Sequence, residues 1–78
     1  MTQTQEITIK LSKDEALVLS DFLLRFNETE NNASIQHKSE QIVLWNIETQ
    51  LEKVLTDPFL PNYDEIISEA RKNVQANY

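Results

Sequence analysis

The sequence predicts a mainly helical fold in which one N-terminal β-strand precedes three α-helices in a single β-α-α-α domain. Three observations predict it. Apolar and polar residues alternate near the N-terminus, and three later segments carry apolar residues at helical spacing behind helix-capping residues. A length of 78 residues leaves room for only one small core. We expect the domain to span residues 1–78, with residues 1–5 as a flexible tail.

The first predicted element is a short strand at residues 6–11. The apolar residues Ile7, Ile9 and Leu11 alternate with the polar residues Glu6, Thr8 and Lys10. This is the period of a half-buried strand, but a lone strand cannot satisfy its own backbone N–H and C=O groups. Pairing with a second copy across a twofold axis would satisfy them and enlarge the core. The alternative is an extended arm that lies along the helices with a hydrated backbone; we favour the dimer.

The first helix is expected from about Lys13 to Asn27. Ser12 and Glu15 form a capping-box pattern, in which each side chain satisfies a free backbone N–H group at the helix start. Asp21 and Arg25 have the spacing of a favourable ion pair on one helix face. The predicted core stripe of this helix consists of Ala16, Leu19, Phe22, Leu23 and Phe26.

The second helix is expected from about Lys38 to Leu55, and it ends before Pro58 because proline disfavours helical geometry at the residue before it. Its predicted main face consists of Val43, Leu44, Ile47, Leu51, Val54 and Leu55. Phe59, between two prolines, is expected to lie over the core. Asn62 is predicted to cap the third helix, with Glu65 as a weaker capping partner. The stripe of this outer helix consists of Tyr63, Ile67, Ala70 and Val74.

The first two helices carry apolar residues on a second face as well. Leu17 and Leu24 lie opposite the main stripe of the first helix, and Ile42 and Trp45 lie opposite that of the second. Three helices and one strand cover both of these second faces only with difficulty. We therefore predict that they are contact surfaces, although a helix packed on both sides would show the same pattern.

The residue types that most enzymes and cofactor sites need are missing. Without cysteine the chain has no disulfide, no thiolate nucleophile and no cysteine-based zinc or iron–sulfur site. Without glycine it has no phosphate-binding glycine loop and no nucleophile elbow. The sequence therefore predicts neither an enzyme nor a cofactor.

His37 is the one histidine, and it forms the basis of the alternative interpretation. His37 with Glu40 or Gln41 has a spacing that can place two ligands on one side of a metal ion. Two candidates do not complete a site, so a surface histidine near a helix start is the favoured interpretation. Paired carboxylates such as Glu48 and Glu52 are expected to be a solvated acidic face.

The charge balance disfavours one class of partner. Thirteen acidic residues against seven basic ones give a net charge of −6, which repels phosphate and makes nucleic acid the least favoured partner. The N-terminus lacks a signal-peptide pattern, and the longest apolar runs are far shorter than the roughly 20 residues of a membrane helix. We therefore expect a cytoplasmic protein with no membrane association.

Several motifs, at residues 11–19, 22–26, 43–45, 51–53, 57–59 and 61–63, span nearly the whole chain. In these motifs the chain resembles a group of short uncharacterised bacterial proteins. The motifs are structural, namely caps, core stripes and a proline turn. The resemblance implies a single compact bacterial domain and carries over no catalytic residues, because that group has no assigned activity.

The function predicted from the sequence is that of a non-enzymatic protein–protein interaction module, acting as a homodimer, an adaptor or a small inhibitor. The predicted interface residues are Ile7, Ile9, Leu11, Leu17, Leu24, Ile42 and Trp45. The alternative is a small enzyme or a ligand- or metal-binding subunit that uses His37 and Glu40. A third possibility, an acidic antagonist that covers a basic surface, would bind in a strongly salt-dependent way.

Overall fold

A computed structural model describes residues 5–28, 34–56 and 60–77. It contains three helices: α1 at Lys13–Glu28, α2 at Lys38–Val54 and α3 at Tyr63–Ala76. The mainly helical fold is therefore confirmed, and the first two helices end within one residue of the predicted positions. Phe59, which is predicted to lie over the core, is outside the described residues.

Residues 5–12 precede α1 without regular secondary structure. The side chains of Ile7 and Ile9 are 88% and 78% exposed, so in a single chain neither contributes to the core. A strand here would need hydrogen bonds from a second copy, so the structure of one chain leaves the predicted strand a prediction.

The helix starts show how local side chains set the element boundaries. At α1 the predicted capping box is present: the Ser12 N–H donates to Glu15 Oε1 at 2.8 Å, and the Glu15 N–H donates to Ser12 Oγ at 3.1 Å. Asn62 precedes α3 as predicted, but its side chain makes no capping bond. Its backbone, at φ −100° and ψ 32°, lies outside the extended region that aims a capping side chain at the helix N–H groups. Its carbonyl oxygen instead accepts from the Glu65 and Ile66 N–H groups.

α1 is the central helix and packs against both α2 and α3. Its buried residues are Ala16, Leu17, Ser20 and Leu23. This face keeps Ala16 and Leu23 of the predicted stripe but is rotated toward Leu17 and Ser20, because it lies between two neighbouring helices rather than against one. Leu17 is only 2% exposed and belongs to the core cluster with Leu55, Ile67 and Ala70. The structure thus places Leu17 in the core and not on the predicted contact surface.

α2 contributes much less to the core than its sequence predicts. No residue within it is buried, although Leu55 at its C-terminal cap is. Leu44, Ile47 and Leu51 are half-buried, whereas Val43 and Val54 of the predicted main face are exposed, Val54 by 74%. The main face is thus narrower than predicted because α1 covers only the side that carries Leu44 and Leu51.

The molecule is open for its size. The chain exposes 6629 Å² of accessible surface, whereas a compact protein of this mass exposes about 4,900 Å². The radius of gyration is 14.3 Å, whereas a compact chain of this length has about 11.5 Å. Two helices packed on one central helix, together with the exposed residues 5–12, therefore leave a large surface without internal cover.

Candidate interaction surface

Asp21 joins α1 to α3 and so helps to fix the relative positions of these two helices. Its carboxylate accepts a hydrogen bond from the Tyr63 hydroxyl at 2.8 Å and one from Arg71 at 2.9 Å, both on α3. The predicted pair with Arg25 within α1 is also present, at 3.1 Å. One carboxylate that is mostly shielded from solvent thus joins two helices through three donors.

The same contacts shift the pKa values of Asp21 and Tyr63. Burial acts to raise the pKa of Asp21, but the hydrogen bonds from Tyr63 and Arg25 and the charges of Arg25 and Arg71 outweigh it, so the pKa is lowered. Burial, followed by the hydrogen bond to Asp21 and the charge of that carboxylate, raises the pKa of Tyr63 to about 12. At neutral pH Asp21 is therefore an ionised carboxylate that accepts a hydrogen bond from the protonated Tyr63 hydroxyl.

A cleft of about 370 Å³ opens beside Asp21, where the three helices meet. Its lining residues are Ser20, Asp21, Leu24, Glu48, Glu52, Leu55 and Tyr63. Glu48 is held by Asn27, whose side-chain amide donates to it at 2.6 Å, and Gln41 donates to Asn27 at 2.7 Å. The polar groups of the cleft wall thus tie α1 to α2 as Asp21 ties α1 to α3, and Leu24 lies on that wall.

Ile42 and Trp45 are exposed on the side of α2 that faces away from α1. Trp45 is 52% exposed and Ile42 is exposed to the same extent. Thr49, one turn further on, donates its hydroxyl hydrogen to the Trp45 carbonyl oxygen at 2.9 Å. Both side chains are largely apolar, so covering this surface with another protein would be favourable.

A second apolar strip runs along another side of α2. Val43 and Val54 flank Gln50 at spacings of seven and four residues, which places the three on one helix face. Gln50 borders a shallow hollow that residues 6–9 line on the other side. The exposed isoleucines of the N-terminal segment therefore lie next to this strip, which we call the valine strip.

The predicted interface residues do not form one patch. Ile42 and Trp45 share one surface, Ile7 and Ile9 lie beside the valine strip, and Leu24 lies on the cleft wall. Leu11, partly exposed, leads into α1. Sequence reasoning missed the exposure of Val43, Val54 and Phe22, because helical spacing shows which residues share a face but not whether a neighbour covers that face.

His37 has a structural role that its spacing to Glu40 did not suggest. It is the N-cap of α2, where its Nδ1 accepts from the Ser39 N–H at 3.0 Å. Glu40 accepts from the Gln36 N–H at 2.8 Å. Both side chains therefore satisfy backbone donors at the helix start. Within residues 5–28, 34–56 and 60–77, no group of three or more histidine, cysteine or acidic side chains is placed to hold a metal ion.

Among the described residues, every helix is too short or too polar to cross a membrane. No family model, no curated protein and no solved structure matches the chain. The resemblance to short bacterial proteins therefore stays a prediction, and the candidate function depends on the surfaces of this molecule alone.

Proposed function

We propose that this chain is a non-enzymatic protein–protein interaction module that acts as a homodimer. The excess of accessible surface carries the proposal. The chain exposes about 1,700 Å² more than a compact protein of its mass, part of it on the exposed residues 5–12, while a stable interface of standard size takes about 800 Å² from each partner.

The kind of surface supports the same conclusion. Among the described residues, ten large apolar side chains are exposed, and four of them lie on α2. Single exposed apolar residues are ordinary, but several on one helix are typical of an interaction surface. The four are Ile42, Val43, Trp45 and Val54.

A second copy is a simpler occupant than an unrelated protein. One twofold contact covers the same surface on both chains and satisfies the N-terminal backbone of both. An adaptor or inhibitor bound to a different protein remains the competing outcome. The absence of cysteine agrees with a reducing compartment such as the cytoplasm.

Replacement of Trp45 by alanine tests the proposal. Trp45 is half-exposed in the single chain, so its truncation should leave the fold intact and weaken the dimer by about 2 kcal/mol, or roughly 30-fold. Light scattering gives the mass and circular dichroism the helix content, for wild type and variant at equal concentration. Leu60→Ala removes an exposed apolar side chain outside α2 and should leave both quantities unchanged.

The opposite result is equally clear. If the wild-type chain stays monomeric at millimolar concentration and Trp45→Ala loses its helices, Trp45 is a core residue and the homodimer is excluded. If the wild type is monomeric and Trp45→Ala remains folded, the surface belongs to a different partner and the homodimer is again excluded.

A further inference from the structure

The N-terminal segment is complementary to a second copy of itself that runs in the opposite direction. Residues 5–12 lack regular secondary structure in the single chain and run directly into α1 at Lys13. Ile7 and Ile9 are almost fully exposed, and the residue between them is Thr8. Glu6 and Lys10, of opposite charge, lie two residues to either side of Thr8.

Consider two copies of this segment paired antiparallel across a twofold axis at Thr8. Thr8 then faces Thr8 of the second copy, each Ile7 faces an Ile9, and each Glu6 faces a Lys10. Directly opposed residues in such a ladder lie on the same face of the ribbon, about 4.5–5.5 Å apart between Cα atoms. Threonine pairs, β-branched apolar pairs and opposite charges are the favourable cross-strand combinations, so every pair among residues 6–10 is favourable in this register. The next pair outward, Gln5 with Leu11, lies outside the ribbon.

The neighbouring registers are poorer. An axis at Ile9 places Lys10 opposite Thr8 and Glu6 opposite Ser12, which leaves all four charges without a charged partner. An axis at Ile7 places Ile9 opposite Gln5 and Glu6 opposite Thr8. An axis between Thr8 and Ile9 sets a polar residue opposite an apolar one, which mixes the two faces of the ribbon. Charge and apolar matching coincide at Thr8.

We propose that residues 6–10 of two copies of this chain form an antiparallel β-ribbon with Thr8 on the twofold axis. This inference rests on the proposed homodimer and specifies how the two chains meet. The ribbon gives the exposed backbone of residues 6–10 its hydrogen-bond partners. It gathers four isoleucine side chains on one face, beside the valine strip of α2, whose Gln50 already borders residues 6–9.

Charge reversal tests the register. Glu6→Lys alone places a lysine opposite each Lys10, and Lys10→Glu alone places two glutamates opposite each other, so each single variant should raise the dimer Kd by about tenfold. The double variant restores two opposite-charge pairs and should return Kd to near the wild-type value. Two single variants without effect, or a double variant that is weaker than either, would overturn the register.

A single introduced cysteine tests the position of the axis, because the chain has no cysteine of its own. In Thr8→Cys the two thiols face each other at a Cα separation that a disulfide spans, so mild oxidation should link the dimer. In Gln5→Cys each cysteine faces Leu11 of the other copy, six residues along the strand from that copy's own cysteine. The two thiols then lie about 20 Å apart and should not form a disulfide. Linkage of Gln5→Cys as fast as that of Thr8→Cys would show a flexible tail and overturn the proposal.

The outcomes separate this inference from the proposed function. A wild-type chain that is monomeric at millimolar concentration overturns both. A dimer that dissociates in Trp45→Ala but ignores the charge reversals overturns the register alone and leaves the homodimer intact. A dimer that follows the charge cycle and links only through position 8 supports both.

Discussion

Asp21 shows how one residue can organise a small domain. Its carboxylate is mostly shielded from solvent, and the Tyr63 hydroxyl and the Arg71 guanidinium both reach it from α3. Arg71 is half-exposed, so its ion pair contributes less than the hydrogen bond from the less exposed Tyr63. The predicted pair with Arg25 is thus only a third of the network, and the long-range contacts with α3 are the ones that join elements.

The Asp21–Tyr63 pair makes the free energy of unfolding depend on pH in the alkaline range. The pKa of Tyr63 is raised from 10.0 to about 12 in the folded chain, so its contribution is fully present below pH 10 and is lost as the pH rises to 12. Tyr63→Phe should lower the free energy of unfolding by about 1 kcal/mol at pH 8. The difference between wild type and variant should narrow between pH 10 and 12, measured by urea unfolding at each pH.

Asp21→Asn serves as the control for this pH dependence. It removes the charge that helps to raise the pKa of Tyr63 but keeps an oxygen that accepts the hydrogen bond. Stability should then fall less steeply with alkaline pH than in the wild type. A constant difference between wild type and Tyr63→Phe from pH 8 to pH 12 would show that the pair does not carry the effect.

At the scale of the element, α2 depends on its cap more than on its burial. No residue within the helix is fully buried, so packing supplies less of its stability than it does for α1. Its start is held by His37 and Glu40, which satisfy the Ser39 and Gln36 N–H groups. Loss of the N-terminal cap should therefore destabilise α2.

We predict that His37→Ala lowers the free energy of unfolding by about 1 kcal/mol, because the Ser39 N–H loses its acceptor. His37→Asn should restore most of that stability, since asparagine is a better N-cap than alanine. Urea unfolding monitored by circular dichroism measures both.

The same pair of variants separates capping from metal binding. If His37 and Glu40 instead formed a metal-binding pair, chelation would destabilise the wild type and asparagine would not substitute for histidine. We expect no effect of a chelator on the unfolding of wild type or variant.

At the scale of the whole molecule, the accessible surface is large and the buried core is small. A chain of 78 residues is already marginal as an independent unit, and this one leaves more surface open than its mass requires. A second copy that covers α2 and the N-terminal segment would add buried apolar area without lengthening the chain. Association and folding stability should therefore be linked.

We predict that the melting temperature rises with protein concentration, by about 3–6 °C for each tenfold increase. The physical reason is mass action, because the proposed dimer would have to dissociate as its chains unfold. Differential scanning calorimetry over a hundredfold concentration range measures the shift. Trp45→Ala should show a smaller shift at the same concentrations, and a wild-type melting temperature independent of concentration would contradict the linkage.

The sequence alone determined the helices and most of their boundaries. Helix starts depend on side chains within three or four residues, as at Ser12 and Glu15, and the end of α2 follows from the proximity of Pro58. Such interactions are local, so they can be predicted without knowledge of the fold. The stripe of α3 was equally clear because that helix has only one apolar face, and Ile67 and Ala70 are buried as predicted.

Only the tertiary structure decided which apolar faces are covered. α1 and α2 each carry two apolar faces, and helical spacing gives no preference between them. The position of α1 between two neighbours buried Leu17 and left Phe22 exposed, and the one-sided contact of α2 left Val54 exposed. The Asp21–Tyr63 contact joins residues 42 positions apart, so it depends on how the helices pack, which no local pattern encodes.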